Sequence, residues 1–207
     1  MKLYLTIIVS ILSLDLLSAN TIKDLLNKPS QWFHSSKGKE KMLNVLSYQD
    51  ENGIWPKNIN TSIRRYHGIR STLEGTFDNN ATLNELRLMA LAFIETKDTT
   101  YETAFNKGLE CVLKSQYPNG GWPQKPRAKG YSQHITFNDG TMVGVMNFIR
   151  EVYTEKNYNF VKFDTRKRCE EQFELGVKCI IQCQIKVDGK LTAWCAQHHK
   201  DSLEPMG

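Results

Sequence analysis

Two four-residue stretches carry the side chains best suited to chemistry, Thr76-Phe77-Asp78-Asn79 and Thr136-Phe137-Asn138-Asp139. Each sets an Asp beside an Asn, so a carboxylate and an amide oxygen stand on adjacent residues twice in the chain. Hard oxygen donors of this kind suit calcium, held directly or through a bound acidic substrate. A plainer role is also open. Each stretch precedes an apolar-periodic segment, and Asp and Asn are preferred helix N-caps. Spacing alone favours capping, which uses one residue at each place and leaves the other carboxylate or amide spare.

The elements that must position these pairs recur along the chain. Gln116–Gln124 reads Q-Y-P-N-G-G-W-P-Q, and an earlier copy at Gln49–Asn58 reads Q-D-E-N-G-I-W-P-K-N, with an offset of 67 residues. A degenerate third copy begins 68 residues further on at Gln184, keeps Asp188-Gly189 and Trp194, and has Cys195 where the others have Pro. Between the loops lie segments of helical period: Gly38–Tyr48, then Leu83, Leu86, Met89-Ala90, Phe93 and Ile94, then Tyr101–Ser115. The order returns with Met142, Val145-Met146, Ile149 and Val152-Tyr153, followed by Cys169, Phe173, Val177 and Ile180-Ile181. Each unit is a long loop, a helix, a short turn and a helix, which is the mark of a repeat architecture. Such hairpins bury their stripes against their neighbours. The fold expected is mostly α, an incomplete α/α toroid of helical hairpins with the long loops gathered at one end. Strand signals are sparse, because the β-branched residues do not alternate over any useful length.

Met1–Ala19 carries Lys2, an apolar run over Leu3–Leu17 and a small-residue exit at Ser18-Ala19, which predicts a cleaved signal peptide and a secreted protein. The run is too short and too interrupted for a membrane span. Residues 20–37 read as a polar lead-in with a short helix, and 38–207 as the main domain. The 27 Lys and Arg outweigh the 22 Asp and Glu, and removing Lys2 and Asp15 with the leader keeps the net charge at +5. There is no Lys/Arg tract or nucleic-acid module, so an anionic polysaccharide is the partner better suited to an exported basic chain. The five cysteines do not complete a zinc pattern. They read as buried apolar residues or incidental disulfides, although Cys179 and Cys183 share a helix face at metal-pair spacing.

Four motifs together resemble the pectate lyases of polysaccharide lyase family ten: Asn52–Asn58 (N-G-I-W-P-K-N), Gln116–Gln124, Tyr131–Gly140 (Y-S-Q-H-I-T-F-N-D-G) and Trp194–His198 (W-C-A-Q-H) with Leu203-Glu204-Pro205. The likeness runs from about Gly38 to Pro205. It implies a partial α/α toroid and calcium-assisted β-elimination of polygalacturonate, the main acid chain of pectin. It makes Asp78 and Asp139 the metal-site candidates, with Asn79 and Asn138 beside them on the substrate. Lys57, Arg127, Lys129 and His134 become candidate contacts to uronate carboxylates, and His134 and His198, which follow the family motifs, serve either as ligand contacts or as loop hydrogen-bonding groups. Trp55 and Trp122 either stack on sugar faces or fix their loops, the second being the reading favoured. In the family the proton is taken by an arginine shortly after the segment matching Leu203-Glu204-Pro205. No residue up to Gly207 takes that position, and Arg64, Arg65, Arg70 and Arg127 do not match it. Asn80 and Thr141 also depart from the Gly and Ala that the family carries there. The alternative reading is a non-catalytic protein that binds acidic polysaccharide. The apolar stripes near Cys169–Ile181 are expected to be uncovered, with low stability or self-association as the consequence.

Overall fold

The computed structural model describes Thr21–Met206, so the expected leader lies outside the described residues. The chain builds two antiparallel helical hairpins, α4 (Leu83–Thr96) with α5 (Thr99–Lys114) and α6 (Thr141–Thr154) with α7 (Phe163–Gln182). Three shorter helices, α1 (Ile22–Leu26), α2 (Ser30–His34) and α3 (Ser36–Ser47), precede them. The helix stripes do what their period predicts: Leu83, Leu86, Met89 and Ala90 of α4 are buried, as are Phe105, Leu109 and Val112 of α5 and Val145, Ile149 and Val152 of α6. The α4–α5 turn is two residues long. Lys97 closes α4 in the left-handed region at φ 59°, and Asp98 Oδ1 accepts from Thr100 N at 2.9 Å to start α5. Arg166 of α7 donates to the carbonyls of Val152 (3.1 Å) and Tyr153 (2.8 Å), placing a cation on the C-terminal end of α6.

The hairpins meet through a ring cluster of Phe105, Phe148, Tyr158 and Phe160 and through two Arg–Glu pairs. Arg87 holds Glu151 in a two-pronged pair at 2.7 and 2.8 Å, and Arg168 reaches Glu110 at 2.9 Å. The lead-in is more than a polar approach: Leu25 and Phe33 are buried, and α1 packs on α4. Helix α3 starts two residues earlier than its apolar period indicates, because the Ser35 hydroxyl accepts from Gly38 N at 3.0 Å and caps it.

The first two Gln-to-Trp loops are the same object built twice. Gln49 Nε2 bridges the carbonyls of Gly53 (2.9 Å) and Ala104 (2.8 Å), and Gln116 Nε2 bridges those of Gly120 (3.0 Å) and Gln172 (2.8 Å). Each Trp points back at the preceding helix, Trp55 Nε1 to Val45 O at 2.7 Å and Trp122 Nε1 to Val112 O at 3.0 Å. Gly53 and Gly120 sit at φ 94° and 92°. A Cβ on Gly120 would lie 2.2 Å from Leu175 O, so the loop needs glycine both for its turn and for its seat against α7.

The third copy departs from this pattern. Asp188 and Gly189, both at positive φ, form the two-residue turn of a hairpin, β2 (Lys186–Val187) with β3 (Lys190–Leu191). Trp194 still donates to a helix carbonyl, Ile180 O at 2.7 Å, yet it is 45% exposed where Trp55 and Trp122 are 0%. Leu175, Val177 and Ile181 on α7 are likewise exposed, as the sequence led us to expect, while Cys169, Cys179 and Cys183 are buried. All five cysteines are free. Beyond β2–β3, the strands are two-residue pieces. β1 (Ile135–Thr136) pairs antiparallel with β4 (Gln197–His198), which pairs with β5 (Pro205–Met206), and so the segment after Trp194 lies beside the second Asp/Asn turn.

Candidate active site

Both Asp/Asn stretches fold into the same tight turn, hung between successive loops. Thr76 N donates to Trp55 O (3.0 Å) and Phe77 N to Gln124 O (3.0 Å). In the second copy Thr136 N donates to Trp122 O (3.3 Å) and Phe137 N to Ala196 O (2.9 Å). The chain then enters the left-handed region at Asn79 (φ 54°) and at Asp139 (φ 50°), which Asn and Asp tolerate better than other residues with a Cβ. The two turns pack against each other, and α6 packs on the first.

This register corrects the pairing that the motif letters imply. Asp78 corresponds to Asn138, and Asn79 to Asp139. The two carboxylates therefore occupy different positions of the turn and have different surroundings. Asp78 is buried, while Asp139 is exposed and accepts from Asn138 Nδ2 at 3.0 Å. Neither caps a helix. Helix α4 is preceded by Thr82 and α6 by Gly140, with no side-chain cap at either, so the capping role gives way.

Asp78 is the centre of the arrangement. Its Oδ2 accepts from Gln124 Nε2 at 2.7 Å and from the Lys57 ammonium, whereas its buried Oδ1 has no partner. Lys57 from the first loop and Gln124 from the second thus converge on a carboxylate held between them. The Lys57 side chain is 38% exposed and lines two adjoining cavities. One, of about 470 Å³, also takes in Thr76, Gln124 and Lys125; the other, of about 310 Å³, takes in Asn79, Asn84 and Glu85. Glu85 is a residue that the motifs did not single out. Burial pushes its carboxyl up to about 7 against the backbone N–H groups of Glu85 and Thr82, and its Oε2 is unpartnered. The Thr82-x-x-Glu85 spacing was the available signal.

The remaining candidates divide. Trp122 is fully buried with its N–H engaged, so it cannot stack on a sugar and is removed from the substrate contacts. His198 is removed for the same reason. It is fully buried, accepts from Cys195 N at Nε2 (3.1 Å) and donates from Nδ1 to Leu203 O (2.8 Å), tying the chain end together. His134 is buried, with its Nδ1 accepting from Lys200 N at 3.3 Å. Burial first, then the neighbouring His199 and Lys200, hold its pKa below the ordinary histidine range. Arg127 and Lys129 are exposed, and Arg127 lines a different groove, along α5.

The donors fit a calcium ion in part. The orphaned Oδ1 of Asp78 is an unsatisfied hard donor, and Asn79 and Asp139 lie on the paired turns beside it. Among the described residues no three Asp, Glu, His or Cys side chains converge. Carboxylates of these described residues would therefore fill only part of the six to eight oxygen positions that calcium takes, leaving room for amide, backbone, water or ligand oxygens.

Comparison with known proteins gives the same family. The sequence model described as pectic acid lyase matches residues 49–207. No curated protein matches the chain. Among solved structures, a family 10 polysaccharide lyase from Cellvibrio cellulosa is similar at TM-score 0.73 and 31% identity over 91% of this chain. A mutant of that lyase in complex with trigalacturonic acid is similar at TM-score 0.73 and 30% identity. The chain spans 58% of the length of each. On fold, on motif and on the family match, this chain belongs to the pectic acid lyases.

Proposed function

We propose that this chain carries the substrate- and calcium-binding half of a secreted lyase that cleaves polygalacturonate by β-elimination. The observation that carries the reading is the Lys57–Asp78–Gln124 cluster, with its unpartnered buried carboxylate oxygen, on the paired turns. In β-elimination a base removes the proton α to the uronate carboxylate. The electron pair forms a C=C bond, and the glycosidic oxygen on the next carbon leaves as the new hydroxyl. The barrier lies in placing further negative charge beside a carboxylate that is already anionic. Calcium, when bound, supplies positive charge at that carboxylate. Asp78 holds the Lys57 ammonium at the edge of two cavities, where it can meet a uronate carboxylate as a charge-assisted hydrogen bond. Asn79, Asn138 and Asp139 present oxygen and amide groups to the same ligand from exposed turns.

No arginine up to Gly207 matches the family's base, so the proton-taking step is assigned to no residue here. The Lys57–Asp78–Gln124 cluster would serve equally in a second reading, a protein that binds acidic polysaccharide without cleaving it. Incubation with polygalacturonate and calcium separates the two. The lyase reading predicts rising ultraviolet absorbance from unsaturated product, abolished by a chelator. The binding reading predicts calcium-dependent association with no rise, and absence of both would sink the two readings together.

A further inference from the structure

Two grooves away from the Asp78 turn meet at one residue, Lys107. The first, of about 630 Å³, runs between α3 and α5 and is lined by Leu43, Arg65, Tyr66, Arg70, Thr103 and Lys107. The second, of about 650 Å³, continues past Lys107 along Cys111 and Lys114 to Tyr117 and Arg127. The α5 residues that line them, from Thr99 through Thr103, Lys107 and Cys111 to Lys114, with the C-cap Ser115 beyond, fall on one side of the helix. At 1.5 Å per residue that side gives a track of about 24 Å.

The track is cationic, and of the six Lys and Arg that line it Lys114 and Lys200 are paired with carboxylates while the other four are not. Arg65, Arg70, Lys107 and Arg127 have no ion-pair partner among the described residues. The carboxylate that lines it, Glu110, is already held by Arg168 at 2.9 Å and Lys114 at 3.2 Å. Tyr66, Tyr117 and the half-exposed Leu43 add apolar surface of the sort that the C–H faces of pyranose rings cover. We propose that this flank of α5 is a second binding track for polyuronate chains, separate from the site at Asp78.

Exposed cation–carboxylate pairs are individually weak. A ligand must therefore engage several at once, and affinity should climb with chain length. A long acidic polysaccharide meets that requirement and a trimer does not. The track would hold the polymer while the Asp78 site acts on one stretch of it. The proposal rests on the uronate reading of the Asp78 site for its ligand class.

The test is affinity electrophoresis in native gels containing polygalacturonate, beside calorimetric titration with trigalacturonate and calcium. The variant is R65E/R70E/K107E, with R65Q/R70Q/K107Q as a milder companion if charge reversal disturbs folding. The expected result is at least a tenfold loss of retardation by the polymer, with trigalacturonate binding unchanged within twofold, and the reverse pattern for Asp78→Asn. Unchanged retardation of both triple variants overturns the proposal, as does loss of both ligands together. Equal retardation of the unaltered protein by dextran sulfate overturns the assignment to uronates. If the unaltered protein fails to bind trigalacturonate with calcium, the Asp78 reading falls, and the polymer gel still reports on the track.

Discussion

Replacing Trp122 by Ala separates a loop that frames the fold from one that grips sugar. The indole is 0% exposed, its Nε1 donates to Val112 O at 3.0 Å, and its ring edge lies against Gly176 of α7. Removing it opens a cavity between the two hairpins and deletes a buried hydrogen bond. Buried Trp→Ala changes cost about 3–5 kcal/mol, which for a chain of this size lowers Tm by roughly 6–20 °C. Trp194→Ala is the internal control: the same repeat position, 45% exposed, should cost under about 1.5 kcal/mol. Thermal and urea unfolding followed by circular dichroism measure both. A Trp122→Ala protein that keeps its Tm but loses binding to galacturonate oligomers would refute the reasoning, since that is how a stacking residue behaves.

Four further outcomes are expected. Asp78→Asn should weaken calcium-dependent binding of galacturonate oligomers at least tenfold. Asp139→Asn, at an exposed carboxylate, should weaken it while leaving unfolding within about 0.5 kcal/mol; titration calorimetry and urea curves check the pair. Glu85 has its carboxyl raised from 4.5 to about 7, so between these values the native state holds a proton that the unfolded chain releases. Its contribution to stability is full below about 4.5 and is lost as pH rises through 7, on the order of 3 kcal/mol. Stability curves from pH 5 to 8 should be flatter for Glu85→Gln than for the unaltered protein, and parallel curves would exclude the effect. Arg87→Ala breaks the two-pronged pair with Glu151, whose side chains are 21% and 25% exposed, and should cost about 1–3 kcal/mol. A double-mutant cycle with Glu151→Ala measures the coupling.

The helices were legible because their apolar periods are long, and the repeat was legible because Gln, Asn-Gly and Trp-Pro recur at fixed offset. The structural role of the tryptophans also followed from that recurrence, and the buried rings agree with it. What the letters concealed was register. D-N and N-D look like one motif written two ways, yet in the fold they put Asp78 in the buried position of the turn and Asp139 in the exposed one. The Lys57–Asp78–Gln124 cluster joins residues from two loops and a turn, up to 67 positions apart, and no local pattern announces it. His198 enters as a ligand candidate through its motif, with loop hydrogen bonding as the open alternative. Its true partners are backbone groups, and a sequence cannot show which backbone groups come near. The short strands escaped detection because two residues are too few to alternate.

Whether the turn at Asp78 binds uronate through calcium decides the function proposed for the chain. Calorimetric titration of the protein with trigalacturonate, in calcium and then in chelator, asks this directly. The expected result is saturable binding in calcium that disappears in chelator and in Asp78→Asn. Binding that is indifferent to calcium and to Asp78, or no binding at all, would contradict it.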